Sequence, residues 1–387
     1  MKICIVTGSR AEFYILKNLI KKIQNIKYFK HHLIVTGSHT SKFFGNTIKK
    51  IKDEKIKIGT EIKNFIKRDK EIDISNYFAS NVKSFSKVFL KIKPDILLIL
   101  GDRYEIFSAA IAASFNRIPI AHVHGGERSE GALDEAIRHS ITKMAHIHFV
   151  SNIEHYERVK QMGENKKLIF NVGSMGVESI KQIKFLKKKI LEKKLNIKLS
   201  KKNILITVHP ETLETKNENK KKIRILLKSL KSLKDTTKIF TMPGADPNFK
   251  LVTNEIKKFV KQNPQSFFFK SLGDKLYFSL CNKVDLMLGN SSSGIIEMPS
   301  FKKATINVGV RQKGRLKAKS VLNVNFDIKK INKAIKHVYS KKFKKSLKII
   351  NNPYDNGASS EKILKVLKKI KLKNILIKKF YDNKKFL

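Results

Sequence analysis

The sequence predicts an α/β protein built as two doubly wound parallel sheets. Three observations carry that expectation. Short apolar runs such as 96–100 and 204–208 show no polar alternation, the pattern of strands buried on both faces. Each run stops at glycine or polar residues and gives way to a helical pattern, and repeated strand–helix units favour parallel pairing. The series restarts near Asn203 after a Lys-rich stretch, so the 387 residues divide into similar halves, 1–174 and 175–387.

In the first half, residues 2–7 read as a strand ending in Gly8-Ser9-Arg10, with a helix over about 11–26. The turn, TGSRAEF, is neither GxGxxG nor GxxxxGK[ST], so it signals neither a dinucleotide site nor a P-loop. A second strand is expected at 33–36. Polar residues and Gly37, Gly45 and Gly59 make 37–75 a region of loops around short elements. A helix follows at 76–92, then strands at 96–100, 118–123, 146–150 and 168–172. Helices at 104–115, from about Asp134, and at 153–162 separate these strands.

Gly173 to Gly176 opens a linker, and 178–200 reads as one Lys-rich helix. In the second half, strands are expected at 204–208, 238–242, 267–269, 285–288 and 304–308. Helices are expected at about 217–233, 248–262, 274–282, from the GNSSSG turn at 289–294, and at 329–341 and 359–371.

Composition narrows the function classes. The formal charge of +50 would suit nucleic acid or an anionic membrane. Lys is spread over nearly the whole chain, however, and aromatic residues are not interleaved with the basic runs as base stacking needs. Lys therefore reads as generic surface, and neither nucleic acid nor membrane is expected as a partner. Cys4 and Cys281, the only cysteines, imply no disulfide framework or metal pair. The opening MKICIVTGSR is too soon interrupted for a signal peptide, and no apolar run reaches about 18 residues. A cytoplasmic protein is expected.

Ligands of open parallel sheets bind beyond the carboxyl ends of the strands. Two successive strand ends carry Asp102, Arg103, His122, His124 and Glu127, and the next helix adds Asp134, Glu135, Arg138 and His139. One such residue is ordinary surface, and Asp134–Arg138 and Glu135–His139 are spaced as plain helix-face pairs. Their concentration at one sheet edge points to acid/base chemistry. In the second half, GNSSSG offers backbone N–H groups and three hydroxyls at a strand–helix junction, which suits a diphosphate beyond what N-capping requires. Arg311 and Arg315 are candidates for its counter-charge, Glu297 for ribose hydroxyls, and His209 for a strand-end contact. HExxH, paired CxxC and GxSxG are all absent, which argues against zinc and serine hydrolases.

Seven motifs together resemble one family: TGSRAEF (7–13), GDRYEIFSAAIAAS (101–114), IPIAHVHGGE (118–127), DEAIRHSITKMAHIHF (134–149), VHPETL (208–213), GNSSSGIIEMPS (289–300) and ATINVGVRQKGR (304–315). They look like the UDP-N-acetylglucosamine 2-epimerase family, and within it the hydrolysing enzymes of bacterial sialic acid synthesis. The resemblance implies two Rossmann-like domains in the B-type glycosyltransferase (GT-B) architecture, with the active site in the interdomain cleft. It also implies that the last helix, about 359–387, returns to the first domain. The implied reaction converts UDP-N-acetylglucosamine and water to N-acetylmannosamine and UDP. UDP leaves across C1–C2 to give a 2-acetamidoglucal, which is then hydrated. Neither a metal nor any other cofactor is implied, and a homo-oligomer, dimer or tetramer, is.

Carried over residue by residue, the resemblance makes Asp102, Glu127 and Asp134 the acid/base candidates and His209 a cleft His that contacts the diphosphate. Arg10, Arg103, Ser291, Ser292, Glu297 and Arg311 match nucleotide-contacting positions, with Ser293 in the same loop, and Arg138 orients the carboxylates or contacts substrate. His124 stands where some branches carry Glu, which leaves proton transfer open between His124 and Glu127. Gly244 stands where several relatives carry Asn. Alternative substrates are a UDP-2,4-diacetamido-2,4,6-trideoxyglucose en route to legionaminic acid, with 37–75 and the HGGE loop deciding, or a non-hydrolysing reaction giving UDP-N-acetylmannosamine. A glycosyltransferase of the same fold and a basic RNA-binding protein are the readings from other classes.

Overall fold

The structure is a computed structural model and describes residues 1–41, 47–64, 71–244 and 246–382. Its contacts define two compact units. One comprises Met1–Glu127, Asp134–Ser179 and Tyr354–Leu387, the other Arg128–Leu133 and Ile180–Pro353.

The first unit contains β1 (Lys2–Thr7), α1 (Arg10–Asn25), β2 (Lys30–Val35), α2 (Ile48–Asp53), β3 (Thr60–Glu61), α3 (Glu71–Ile92), β4 (Ile96–Leu100), α4 (Tyr104–Phe115), β5 (Ile120–Val123), α5 (Asp134–Met144), β6 (Ile147–Val150), α6 (Ile153–Gln161), β7 (Ile169–Asn171) and the start of α7 (Met175–Gln182). The seven strands are ordered β3-β2-β1-β4-β5-β6-β7 and every pair is parallel. The unbroken apolar runs have the expected cause. Alternate residues of β1 and β4 enter two cores, Ile3, Ile5, Ile96 and Leu98 one of them, Cys4, Val6, Leu97 and Ile99 the other.

The second unit continues with α8 (Lys188–Leu195), β8 (Lys202–Thr207), α9 (Lys216–Lys231), β9 (Thr236–Thr241), α10 (Phe249–Gln262), β10 (Ser266–Phe269), α11 (Gly273–Lys283), β11 (Leu286–Gly289), α12 (Ser292–Ile296), β12 (Ala304–Val308), β13 (Val321–Val324), α13 (Ile328–Val338) and α14 (Lys341–Leu347). Its sheet, β10-β9-β8-β11-β12-β13, is also wholly parallel. The chain then returns to the first unit as α15 (Ser359–Lys369), whose Ile363, Leu364 and Leu367 join the core around α1 and β1.

Each sheet reverses its strand order once, at β1/β4 and at β8/β11. Those are the topological switch points, where an open α/β sheet leaves a crevice beyond its strand ends. Among the described residues no helix is long and apolar enough to cross a membrane.

The structure corrects several sequence expectations. The single helix over 178–200 is two helices with a break at 183–187. Ile183 and Leu186 pack on the second unit's core and the Leu186 N–H donates to Ser279 Oγ at 3.0 Å, so tertiary contacts override local helix propensity. The short strands β3 and β13 were not expected. β13 is an edge strand with only Val321 buried, and such strands lack the apolar run that marks a central one. α14 was also missed. Of the 37–75 region expected to shape the sugar pocket, residues 42–46 and 65–70 lie outside the described residues, as do 383–387 of the final segment.

Candidate active site

The first unit concentrates charge at the ends of β4 and β5. β4 stops at Leu100, and Gly101 (φ +79°) turns the chain so that Asp102 and Arg103 precede α4. Arg103, not Asp102, occupies the N-cap position of α4, so Asp102 is released from a capping role. It meets Arg138 instead. The Arg138 side chain projects from α5 and is only 1% exposed. Its Nε donates to Asp102 Oδ2 at 2.7 Å and its Nη2 donates to the same oxygen. Its Nη1 donates to the Glu127 carbonyl at 3.0 Å and to Glu135 Oε2 at 3.0 Å. Burial opposes the Arg138 charge, but Asp102 and Glu127 outweigh it and hold the guanidinium above its ordinary value. The Arg138 guanidinium is thus turned onto the Asp102 and Glu135 carboxylates. Asp134 is the first residue of α5 and is half-buried, and Glu135 also meets His139 Nε2 at 3.1 Å.

The HGGE loop is folded tightly behind this cluster. Arg158 Nη1 donates to the Gly126 carbonyl. Gly126 has φ +72°, and a Cβ there would lie 2.7 Å from the His155 carbonyl oxygen, so glycine is required on both counts. His124, at φ +65°, is one of few non-glycine residues in the left-handed region, a strained state that clusters at functional positions. Its Nδ1 lies 3.2 Å from Glu127 Oε1, and its buried Nε2 has no hydrogen-bond partner among the described residues. Two residues earlier, His122 is of another kind. Its Nε2 pairs with the Gly101 carbonyl at 2.8 Å and its Nδ1 lies 3.3 Å from Thr142 Oγ1. Burial drives its pKa down to about 3, so it stays neutral as a strut between β5, β4 and α5.

At the β1/β4 switch point, Glu12 accepts from the Gly8 N–H (2.8 Å) and the Ser9 hydroxyl (2.9 Å). Arg103 Nε lies 3.3 Å from Glu105 Oε1 and 4.0 Å from Glu12 Oε1. Two buried carboxyls thus share one guanidinium. Burial first, then Glu105, push the Glu12 pKa up to about 8. This pair ties the 8–10 turn, which carries Arg10, to the 101–103 turn. It was not singled out from the sequence, although both carboxyls lie inside the quoted motifs.

The second unit's strand ends carry mostly neutral donors. His209 follows β8. Its N–H donates to Asn290 Oδ1 at 2.7 Å, and Asn290 Nδ2 donates back to the His209 carbonyl at 2.9 Å, locking the ends of β8 and β11 together. The Gly244 N–H donates to His209 Nδ1 at 3.1 Å, which places the lone pair on Nδ1 and the proton on Nε2. Asp246 lies 3.5 Å from the same Nδ1 and 3.4 Å from Arg311 Nη2, so Arg311 is partly neutralised by Asp246.

Glu211, 2% exposed, was missed by sequence reasoning. Its Oε1 accepts from the N–H groups of Val310 (2.8 Å) and Arg311 (3.3 Å), and its Oε2 meets Lys222 at 2.5 Å. It fixes the loop bearing Arg311. Gly309 (φ +82°) sits against it so closely that a Cβ would lie 2.3 Å from Oε1.

In the GNSSSG turn, Ser291 caps α12 by accepting from the Ser293 N–H at 3.4 Å, and Ser293 Oγ accepts from Tyr277 at 2.7 Å. α12 is five residues long before a 3₁₀ turn containing Pro299, so its dipole is weaker than that of the full helix expected. N–H groups and hydroxyls are the polar groups that the turn presents. Glu297 is buried at the C-cap of α12.

Comparison with known proteins gives a consistent result. A protein-family model described as UDP-N-acetylglucosamine 2-epimerase matches residues 21–368. The chain is 44% identical to a GDP/UDP-N,N'-diacetylbacillosamine 2-epimerase (hydrolyzing) of Campylobacter jejuni, covering 98% of this chain and 99% of that one. It is 37% identical to the polysialic acid biosynthesis protein P7 of Escherichia coli, covering 98% and 97%. In fold it is similar to the crystal structure of UDP-GlcNAc 2-epimerase from Neisseria meningitidis bound to UDP-GlcNAc, with TM-score 0.80, 19% identity, and coverage of 96% and 100%.

Proposed function

We propose that this chain, which belongs to the UDP-N-acetylglucosamine 2-epimerase family, is a hydrolysing 2-epimerase that takes a UDP-linked 2-acetamido sugar and water to UDP and the free C2-inverted sugar. The observation that carries the reading is the charge cluster of the first unit, in which buried Arg138 holds Asp102 and the Glu127 backbone beside the His124–Glu127 pair.

The chemistry needs those groups. The C2 proton is weakly acidic, so a positioned base must remove it as the C1–O bond breaks. The C2–H electron pair becomes the C1=C2 bond of a glycal and the C1–O pair leaves with UDP. Water then adds across the double bond, its hydroxyl to C1 and a proton to the opposite face of C2. His124 and Glu127 are assigned to the C2 proton, and Asp102 and Asp134 to water activation and reprotonation. The departing diphosphate needs fixed donors. Ser291, Ser292 and Ser293, His209 Nε2–H and Arg311 serve it, with Arg10, Arg103 and Glu297 as further nucleotide contacts.

The identity to a hydrolysing diacetylbacillosamine enzyme favours a 2,4-diacetamido-2,4,6-trideoxyglucose as the sugar. A second reading, UDP-N-acetylglucosamine giving N-acetylmannosamine for sialic acid, is favoured by the polysialic acid protein. The test is an NMR time course in deuterated water with each UDP-sugar and with the GDP-linked diacetamido sugar. Free nucleoside diphosphate and a free sugar deuterated at C2 are expected. An epimerised sugar still joined to its nucleotide would replace this reading by the non-hydrolysing one, and transfer only to an added acceptor would replace it by glycosyl transfer.

A further inference from the structure

Behind His124 runs a chain of polar side chains with no part in the hydrolysing reaction as assigned. β5 and β6 end side by side, with the His124 N–H extending their ladder to the Phe149 carbonyl at 2.8 Å. Beyond β6, Asn152 caps α6. Its Oδ1 accepts from the His155 N–H at 3.0 Å, which fixes the orientation of its amide. Asn152 Nδ2 therefore faces His155 Nε2, at 3.3 Å, as a donor, so His155 Nε2 carries a lone pair and His155 Nδ1 the proton. His155 Nδ1 in turn lies 2.9 Å from Ser151 Oγ and donates to it. The Ser151 hydroxyl is left to donate to Glu127 Oε1 at 3.2 Å. Glu127 Oε1 is thus an acceptor, and with Glu127 as the carboxylate the other group at that oxygen, His124 Nδ1 at 3.2 Å, carries a hydrogen. The remaining ring nitrogen, His124 Nε2, keeps a lone pair and has no partner among the described residues, although His124 is 7% exposed.

We propose that Asn152, His155 and Ser151 are positioning residues that set the proton order of the Glu127–His124 pair, making His124 Nε2 the base that takes the C2 proton and Glu127 its orienting carboxylate. The proposal rests on the hydrolysing-epimerase reading and names which of the two candidates reacts. A carboxylate that fixes the tautomer of an imidazole from behind is the arrangement that makes a neutral His an effective base. Each relay residue is buried, so water does not scramble the order.

Asn152→Asp tests this with little change in shape. Asp caps helices as well as Asn does, but it accepts where the amide donated. His155 then moves its proton to Nε2, and the Ser151 hydroxyl turns from Glu127 to His155 Nδ1. The first measurement is the tautomer of each imidazole, read from two-bond ¹H–¹⁵N correlations of histidine-labelled protein, with His124→Gln and His155→Gln providing the assignments. In the wild type, hydrogen on Nδ1 and a bare Nε2 are expected for both residues, with His155 reversed in Asn152→Asp. Hydrogen on Nε2 of either residue in the wild type overturns the proposal.

The second measurement is turnover. Asn152→Asp and Ser151→Ala should each lower kcat roughly 10- to 100-fold, the worth of a hydrogen bond to a charged group, while KM stays within about twofold because neither residue touches substrate. An unchanged kcat in both overturns the proposal. Wild-type protein that turns over none of the nucleotide sugars would remove the epimerase reading and with it the proton-transfer assignment, while the tautomers still decide the proton order of the relay from Asn152 to His124.

Discussion

The two sheets share a construction and differ in what they place at its working edge. Both are wholly parallel, both reverse strand order once, and both gather functional candidates beyond the strands at or beside that reversal. In the first unit the edge holds buried charge: Arg138 is 1% exposed and Glu127 3%. In the second it holds backbone N–H groups, hydroxyls and a histidine, with the buried acids Glu211 and Asp246 turned onto Lys222, the Val310 N–H and Arg311, whose side chain is 13% exposed. On the proposed function the difference separates two tasks. Proton transfer needs groups whose charge and tautomer are set by their surroundings. Holding a diphosphate needs donors that stay put while charge develops on the ligand.

The sharpest way to break the comparison is to remove the arginine from each edge. Arg138→Gln strands Asp102 beside a buried polar site and should cost about 3–5 kcal/mol, read from urea unfolding, together with nearly all turnover. Arg311→Gln should cost about 1 kcal/mol or less. Equal losses would show that the two edges are not specialised for different tasks.

Next is the division between kcat and KM. Glu127→Gln should lower kcat by roughly 10²- to 10⁴-fold. Glu211→Gln, which loosens the loop bearing Arg311, should act on KM, raising it about tenfold through a weakened charged hydrogen bond. Ser292→Ala should raise KM by only about fivefold, the worth of one ordinary hydrogen bond. Steady-state kinetics on the turned-over nucleotide sugar decide these, and a second-unit variant that acted mainly on kcat would blur the distinction.

The last test is a pH dependence and concerns Glu12. Its carboxyl is raised from 4.5 to about 8 in the folded chain, by burial and then by Glu105. Between those values the unfolded chain has released this proton and the folded chain keeps it, so its contribution to stability falls as pH rises through that window and levels off above about 8. Glu12→Gln removes the titration. Its stability relative to wild type should improve steadily from about pH 5 to about pH 8 in urea unfolding, and a constant difference would discard the shared-guanidinium picture.

Much of this was legible in the sequence because parallel strands buried on both faces leave unbroken apolar runs, and because the residues after each run fall at the edge where ligands bind. Asp102, His124 and Glu127 were singled out that way as candidates, and so were His209 and the 291–293 serines. The same rule applied at Val150 would have drawn attention to Ser151, Asn152 and His155, which follow β6 directly. Glu211 and Asp246 left a weaker trace, since each acts by holding a residue distant in sequence.

The sequence by itself determined the α/β class, the central strands, the family and the strand-end motifs, because each is written in local periodicity or contiguous residues. Only the tertiary structure decided that Arg138 faces Asp102 across 36 positions, that Glu12 and Glu105 share Arg103, and that Asn152, His155 and Ser151 line up behind Glu127 and His124. It also decided that residues 128–133 group with the second unit and 354–387 with the first. Burial, amide orientation and the partner of a side chain depend on segments that meet only when the chain is folded, and no local pattern encodes them.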